Sequence, residues 1–239
     1  MGVYSSIEEL GKLLNEPVVL AIGMFDGVHL GHQSVINLAI KEAITLQGRV
    51  VALTFAQHPA SFLRPGKEPA LIMNPQTKAS ELIETGARDV ILRSFDQEIA
   101  ELEASEFANF LKNRIPSLSS ICVGKNFRFG KDRIGDHKIL KDSSKKIGTE
   151  VIVAESKLFL NQPISSSRIR KCLSRGEIEL VNEMLGRNYL VNGVVRPGKA
   201  MGRTIGFPTL NIPWNPQARP AYGVYVGIVE NLNSDEKLP

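Results

Sequence analysis

Short apolar runs alternate with segments of helical spacing over the first 154 residues, and this alternation restricts the fold more than any other feature. Pro17–Ile22 is an apolar run that ends at a glycine, and apolar residues then recur at helical spacing from Val35 to Ile44. Val50–Phe55 is a second apolar run. The order strand, loop, helix, strand predicts a βαβ unit with a right-handed crossover.

The same alternation continues beyond this unit. Asn74-Pro75 predicts a helix start, with Asn as the cap and Pro at the first helical position, and Gly86 predicts its end. Further strands are predicted at 90–92, 120–123 and 150–154, and further helices at 97–113 and 136–146. The pattern therefore predicts an α/β fold, with a parallel sheet covered by helices on both faces.

The character of the chain changes near residue 187. Residues 165–187 are helical in pattern, in two pieces separated near Gly176. The following segment is rich in glycine and proline and contains short β-branched runs, such as VNGVV, TLNI and VYVGIV, which predict small antiparallel strands joined by tight turns. We expect two domains, 1–186 and 187–239.

Charge and cysteine content exclude several classes of protein. The net charge of +4 is a mild basic excess that suits phosphate ligands. Cys122 and Cys172 are the two cysteines, which excludes a disulfide-rich scaffold and a cysteine-built zinc site. The N-terminus lacks the pattern of a signal peptide, and the apolar runs are far shorter than the ~20 residues of a membrane span. We expect a cytoplasmic protein with small-molecule ligands and neither a nucleic-acid nor a membrane partner.

The ten residues after the first predicted strand, GMFDGVHLGH, lie where an open parallel sheet binds ligands. Glycines let the backbone approach a ligand closely, and the free amides at a helix start favour phosphate. His29 and His32 are three residues apart, so in a helical turn both imidazoles point the same way, toward one anion. Two alternatives remain open for these histidines, a structural role in the core or on the surface, and a zinc site.

This stretch resembles the Gly-x-Phe-Asp-Gly-x-His-x-Gly-His signature of bacterial bifunctional riboflavin kinase and FAD synthetase, a family among the His-x-Gly-His nucleotidyltransferases. Met24 stands where the family usually has Asn. The resemblance implies a Rossmann-like nucleotidyltransferase domain that converts FMN and ATP to FAD and pyrophosphate. It implies His29 and His32 as catalytic residues. The ATP-binding residues implied in this stretch are Gly23, Phe25, Asp26, Gly27 and Gly31.

Two further segments resemble the flavin-binding parts of that family. TFAQHP, at residues 54–59, resembles Thr-Phe-x-Pro-His-Pro with Gln57 for the first proline, and implies that His58 borders the FMN. VGKNFRFG, at 123–130, resembles Gly-x-(Asp/Asn)-Phe-x-Phe-Gly and implies that Asn126, Phe127 and Phe129 contact the isoalloxazine ring. The alternative is that the two phenylalanines alternate inward as ordinary core.

The segment ISSSRIR, at residues 164–170, resembles the family's Ile-Ser-Ser-Thr-x-x-Arg. It implies that Ser166 and Ser167 bind ATP and that Arg170 is catalytic. Arg170 lies one helical turn after Ser167, so a hydroxyl and a guanidinium can hold the same polyphosphate. The alternative for the hydroxyls is helix capping, and Arg168 is interpreted as a solvated surface charge. Mg²⁺ is expected to be held largely by substrate oxygens.

The glycine-rich segment after residue 201 resembles a second signature. GRTIGFPTLN, at 202–211, is similar to Gly-x-x-x-Gly-Phe-Pro-Thr-Ala-Asn of riboflavin kinase, which implies that Thr209 and Asn211 hold ATP phosphate and that Thr209 binds Mg²⁺. The alternative is a β-turn region without catalysis. The family's kinase domain, with its catalytic glutamate, continues beyond the equivalent of Pro239. We therefore expect a partial small antiparallel β-barrel and little or no phosphorylation of riboflavin.

Other functions remain open at this point. One is a His-x-Gly-His nucleotidyltransferase that acts on another phosphate monoester, such as a nicotinamide or pantetheine compound. A class I aminoacyl-tRNA synthetase shares the histidine motif, although 239 residues leave little space for tRNA recognition. A non-catalytic flavin-binding or RNA-binding protein is the alternative from a different class.

Overall fold

The computed structural model describes residues 1–199, 201–207, 209–214, 216–230 and 237–238. The strands are Gly2–Tyr4 (β1), Val18–Ile22 (β2), Arg49–Phe55 (β3), Asp89–Arg93 (β4), Leu118–Gly124 (β5), Glu150–Ala154 (β6), Leu158–Phe159 (β7), Gln162–Pro163 (β8), Val229–Glu230 (β9) and Lys237–Leu238 (β10). The helices are Ile7–Gly11 (α1), Leu30–Leu46 (α2), Pro59–Leu63 (α3), Pro75–Glu84 (α4), Gln97–Glu101 (α5), Phe107–Arg114 (α6), His137–Lys145 (α7), Ser166–Ser174 (α8), Ile178–Leu185 (α9) and Met201–Thr204 (α10), with a 3-10 turn at Lys131–Arg133.

Six parallel strands form the main sheet in the order β1-β4-β3-β2-β5-β6. From β2 the chain moves outward through β3 to β4 and then crosses to β5 on the other side. The strand order therefore reverses between β2 and β5. In open α/β sheets the crevice outside the carboxyl ends of the strands at such a reversal is the usual ligand site.

Both faces of the sheet are covered, as the sequence predicts. All five residues of β2 are buried. Val18, Leu20 and Ile22 contribute to one apolar cluster, whereas Val19 and Ala21 contribute to another on the opposite face. The alternation follows from the two-residue repeat of a strand, and β2 lies inside the sheet between β3 and β5.

Two local differences separate the structure from the sequence prediction. Residues 97–113 form two helices instead of one, because the chain becomes extended at Leu102 and the second helix begins only at Phe107. An additional strand, β1, pairs in parallel with β4. The amide of Gly2 donates to the Asp89 carboxylate at 2.9 Å, which fixes the start of this edge strand.

The C-terminal segment confirms the predicted antiparallel character, but its strands are shorter than the apolar runs suggest. β9 pairs with β10, and an isolated antiparallel bridge joins Arg196 to Asn211. Val194 and Val226 have largely exposed side chains, so these runs bury too little apolar surface to hold a strand. Among the described residues, no helix has the length and apolar character needed to cross a membrane.

Candidate active site

A cavity of about 1010 Å³ lies at the carboxyl edge of the sheet, where β2 and β5 end. Its size is at the upper end of the range typical of ligand pockets, roughly 300–1,000 Å³. The structure brings most of the site residues expected from the sequence to its wall, namely Gly23, Phe25, Asp26, His29, Gly31, His32, His58, Asn126, Phe127, Phe129, Ser166, Ser167 and Arg170. Gly27 lies in the same turn without lining the cavity.

The turn between β2 and α2 has an unusual backbone. Phe25, Gly27 and Val28 have positive φ values of 48°, 89° and 39°. A β-branched residue such as Val28 rarely adopts this conformation, and such strain persists where surrounding contacts impose it. Within the described part of the chain, the amides of Phe25 and His29 donate to no protein acceptor. Free amides in a turn of this kind form an anion-binding concavity.

The two histidines of the signature lie side by side, as the sequence predicts. Their rings are stacked, with centroids 3.6 Å apart and planes 15° from parallel. His29 caps α2, because its Nδ1 accepts the amide of His32 at 3.2 Å. That bond places the ring proton of His29 on Nε2, which is free to donate to a ligand. The Nδ1 atom of His32 is buried and has no hydrogen-bond partner among the residues that the structure describes.

Burial keeps both imidazoles neutral at pH 7. Burial lowers the pKa of His29 to about 4, and the nearby Arg187 acts in the same direction, against the backbone hydrogen bond. The pKa of His32 is also well below its ordinary value, first because of burial and then because of His29 and Lys78. The histidines can therefore supply neutral N–H donors to an anion instead of positive charge.

The buried state of His29 predicts acid sensitivity. Its pKa falls from 6.5 to about 4 on folding, so between these values the unfolded chain binds more protons. The contribution of His29 to the free energy of unfolding should therefore be fully present above pH 6.5. It should decrease by about 3 kcal/mol as the pH drops to 4. Urea titrations across this range test the prediction. His29→Asn, which keeps a capping side chain, should remove part of this slope, and an unchanged slope would contradict the assignment.

Asp26, which is buried, and Arg170, which is partly buried, form an ion pair at the cavity wall. The Asp26 carboxylate accepts the Ile72 amide at 2.9 Å and Nη2 of Arg170 at 2.6 Å. Nε of Arg170 donates to the Ala70 carbonyl at 2.6 Å. Burial raises the pKa of Asp26, although Arg170 and the Ile72 amide oppose this. The side chain of Asp26 therefore faces protein groups, and it orients Arg170 at the cavity wall.

The three serines at the start of α8 have different contacts. Ser165 is the cap, since its Oγ accepts the Arg168 amide at 3.3 Å. Ser166 Oγ donates to the Asp26 carbonyl at 2.9 Å, whereas Ser167 is exposed at the cavity wall. The interpretation of Arg168 as a solvated surface charge is wrong. Its guanidinium donates to the Phe159 and Gln162 carbonyls and holds the hairpin formed by β7 and β8.

Aromatic rings form one side of the cavity after β5. Phe129 is buried with its centroid 4.6 Å from that of Phe107, and Phe127 stacks on it at 5.4 Å. Phe127 is only partly buried, and Asn126 is exposed at the rim. The core interpretation therefore fits Phe129 well, while Phe127 and Asn126 remain accessible to a ligand.

The histidine after β3 has its tautomer fixed in the same way as His29. His58 caps α3, and its Nδ1 accepts the Ala60 amide at 3.1 Å. The ring proton is therefore on Nε2, at the cavity wall. Burial lowers the pKa of His58, and the positive charges of Arg170, Arg133 and Lys78 lower it further. His58 is consequently a neutral donor at pH 7.

Sequence reasoning missed Lys78, which lies beneath the signature turn. Its side chain is 2% exposed, and its Nζ donates to the carbonyls of Met24 and Phe55 at 3.2 and 2.5 Å. One weak signal in the sequence indicates this lysine, namely a charged residue on the apolar face of a predicted helix. Lys78 lies one turn before Leu82 on the buried face of α4, a position where an apolar residue would be ordinary.

The residues expected to serve a kinase lie outside this cavity. Thr209 and Asn211 have exposed side chains, and the Asn211 carbonyl accepts the Arg196 amide at 2.9 Å. Pro208 of the same motif lies outside the described residues. In the described part of the chain, no group of three or more His, Cys, Asp or Glu residues is arranged to hold a metal ion.

The parallel sheet, the turn with positive φ values at its strand-order reversal and the paired histidines at the following helix start define a Rossmann-like fold of the nucleotidyltransferase type. Residues 12–168 match the family described as FAD synthetase, and residues 185–237 match riboflavin kinase. The chain belongs to the family of bifunctional riboflavin kinase/FMN adenylyltransferases.

Individual relatives support this placement. The Escherichia coli K12 protein named bifunctional riboflavin kinase/FMN adenylyltransferase is 32% identical over 237 residues, covering 99% of this chain and 75% of the relative. The Bacillus subtilis 168 protein of the same name is 35% identical over 211 residues, covering 87% of this chain and 66% of the relative.

Solved structures show the same fold. A crystal structure described as a macrolide-efflux protein from Streptococcus pneumoniae matches with a TM-score of 0.78 and 27% identity, covering 99% of this chain and 82% of that one. Pantothenate synthetase from Thermus thermophilus matches with a TM-score of 0.51 and 15% identity, covering 77% of this chain and 71% of that one. This second likeness concerns the fold alone.

Proposed function

We propose that this chain transfers the adenylyl group of ATP to FMN, giving FAD and pyrophosphate. The observation that carries the proposal is the pair of stacked, neutral histidines at the strand-order reversal, on the wall of a cavity that also presents an accessible phenylalanine. The family membership supports the same reaction.

The reaction depends on aligning the FMN phosphate with the α-phosphorus of ATP and on stabilising the charge of the leaving pyrophosphate, more than on proton transfer. The second pKa of a phosphate monoester is about 6, so the FMN phosphate is a dianion at neutral pH and can attack without a general base. One of its oxygens forms a bond to the α-phosphorus of ATP, and the bond from that phosphorus to the bridging oxygen of pyrophosphate breaks. The Nε2–H of His29 and the ring of His32 donate to the α and β phosphates as charge moves onto the leaving group.

The opposite wall of the cavity holds the rest of the triphosphate. Ser167 and Arg170 contact the β and γ phosphates, and Ser166 positions the turn through its bond to the Asp26 carbonyl. The ATP-binding part of the turn comprises Gly23, Phe25, Gly27 and Gly31, where the backbone comes close to the nucleotide. Mg²⁺ bound to ATP would be held largely by phosphate oxygens and would supply positive charge to offset that of the leaving pyrophosphate.

The flavin occupies the aromatic end of the cavity. Phe127 offers an accessible ring face next to the buried Phe129, and a flat ring system gains from such offset stacking. Asn126 at the rim and the Nε2–H of His58 supply hydrogen bonds to polar atoms of FMN. With the flavin ring at the aromatic end and the triphosphate at the histidines, the phosphate of FMN lies between the two.

We further propose the division into an adenylyltransferase domain, 1–186, and a riboflavin-kinase-like segment, 187–239. The two family matches, to residues 12–168 and 185–237, support it. The second segment should produce little or no FMN in this polypeptide. Thr209 and Asn211, the residues expected to bind Mg²⁺ and ATP there, are exposed and separate from the cavity, so they lack the preorganisation that phosphoryl transfer requires.

Chromatography of flavins tests both proposals in one experiment. The purified chain with FMN, ATP and Mg²⁺ should form FAD, and with riboflavin in place of FMN it should form neither FMN nor FAD. Parallel incubations with nicotinamide mononucleotide and phosphopantetheine distinguish a different acceptor. A folded chain that adenylylates one of these and not FMN would contradict the proposed substrate, and FMN formed from riboflavin would contradict the second proposal.

A further inference from the structure

Helix α4 lies behind the signature turn, and two of its charged residues, Lys78 and Glu81, are one turn apart. The ammonium of Lys78 donates to the carbonyl of Met24, at the start of the turn, and to the carbonyl of Phe55, at the end of β3. The hydroxyl of Thr54 donates to the same Met24 carbonyl at 2.9 Å. Lys78 does not line the cavity, and its contacts are with the backbone beneath it.

Glu81 holds a second cation against the turn. Its carboxylate pairs with Nε of Arg187 at 2.6 Å. Nη2 of Arg187 donates to the Gly27 carbonyl at 3.1 Å, and Nη1 approaches the Val28 carbonyl at 3.5 Å. Gln33 completes this group by donating to the same Val28 carbonyl at 3.0 Å. Arg187 comes from the junction with the second segment, so its contact with the turn spans about 160 residues of sequence.

These contacts determine which way the peptide groups of the turn face. In a trans peptide the C=O and N–H point in opposite directions, and the described chain has no cis peptide. The Met24 carbonyl points to Lys78, so the Phe25 amide points away from it. The Val28 carbonyl points to Arg187 and Gln33, so the His29 amide points away from them. Phe25 and His29 line the cavity, and their amides have no protein acceptor among the described residues.

We propose that Lys78 and Arg187, both held by α4, are positioning residues that orient the Phe25 and His29 amides toward the phosphates of the bound nucleotide. This inference rests on the proposed adenylyl transfer for the identity of the ligand. Neither side chain touches the substrate. They act by fixing a turn that contains a strained Val28, a conformation that persists only where its surroundings impose it.

The charge state of Lys78 is compatible with this role. Burial lowers its pKa to about 8, opposed by the negative charge of Asp26, so most molecules carry the ammonium at pH 7. A charged donor makes a stronger hydrogen bond to a carbonyl than a neutral one. Leucine or methionine at this position would fill the same space without holding either carbonyl.

Calorimetric titration with α,β-methylene ATP tests the proposal, since this analogue binds without transferring its adenylyl group. We expect Lys78→Met to raise the Kd of the analogue by ~10- to 100-fold, the scale of losing a hydrogen bond to a charged group. The KM for ATP should rise similarly, while the KM for FMN should change by less than about twofold. Lys112→Met is the matched control, because the Lys112 ammonium also donates to a backbone carbonyl, that of Leu118, at 2.7 Å. Leu118 begins β5, at the end of the strand away from the cavity.

A second variant covers the case in which Lys78→Met does not fold. Arg187→Lys keeps a positive charge beside Glu81 but loses the fork that reaches two carbonyls, and the site is partly exposed. Arg187→Lys should also raise the Kd of α,β-methylene ATP relative to the parent chain. Folded variants that bind the analogue within about twofold of the parent chain would overturn the proposal, as would a parent chain that fails to bind it. Normal binding by the parent chain without FAD formation would instead reject the proposed reaction.

Discussion

His32→Ala lowers the rate of FAD formation by ~10²-fold or more, with the folded structure retained. His32 stacks on His29 at the wall of the cavity, and loss of one donor that stabilises developing charge has an effect of this order. The effect should appear in kcat more than in the KM for ATP, because the interaction strengthens as charge reaches the leaving pyrophosphate.

A matched substitution separates this effect from a general loss of histidine. His137 lies at the start of α7, outside the cavity, and His137→Ala should leave kcat within about twofold of the parent value. Undiminished turnover in a folded His32→Ala chain would remove this histidine from the chemistry.

Arg170→Met has the largest expected effect on stability. It leaves the Asp26 carboxylate, which is 1% exposed, without its ion-pair partner, and an uncompensated buried charge of this kind costs ~3–5 kcal/mol. FAD formation should also fall, since Arg170 faces the triphosphate in the proposed complex. Urea denaturation at pH 7 measures the first effect, and the assay of FAD measures the second.

The double variant Asp26→Asn/Arg170→Met provides the control. Removing the carboxylate charge as well should restore part of the lost stability, so the double variant should be more stable than Arg170→Met alone. Burial raises the pKa of Asp26, so the deficit of Arg170→Met should also shrink as the pH falls and the carboxyl takes up a proton. Strictly additive effects of the two substitutions would contradict a direct interaction between these groups.

The sequence predicted the elements that depend on local pattern. The buried run of β2, the helix after it and the cap at Asn74 each follow from a few neighbouring residues, and the structure confirms them. The side-by-side histidines follow from their spacing of three. The break after α5 was missed because the apolar spacing of 97–113 continues across it, while the chain itself turns at Leu102.

Contacts between distant residues could not be predicted in this way. The resemblance implies that Asp26 binds ATP, which stays a prediction, but the ion pair of its carboxylate with Arg170, 144 residues further along the chain, could not be read from local pattern. Lys78 and Arg187 carry no motif, and their importance depends on where α4 lies behind the turn. The roles of His58 and Asn126 in flavin binding remain predictions that rest on their position at the cavity wall.

The most direct test of adenylyl transfer follows the α-phosphorus of ATP. With ATP radiolabelled at that atom, the purified chain should move the label into FAD when FMN and Mg²⁺ are present, with one pyrophosphate released for each FAD. With the label at the γ-phosphorus, it should appear in pyrophosphate. A folded chain that binds FMN and ATP but leaves the flavin unlabelled, or that releases labelled AMP without forming FAD, would contradict the account.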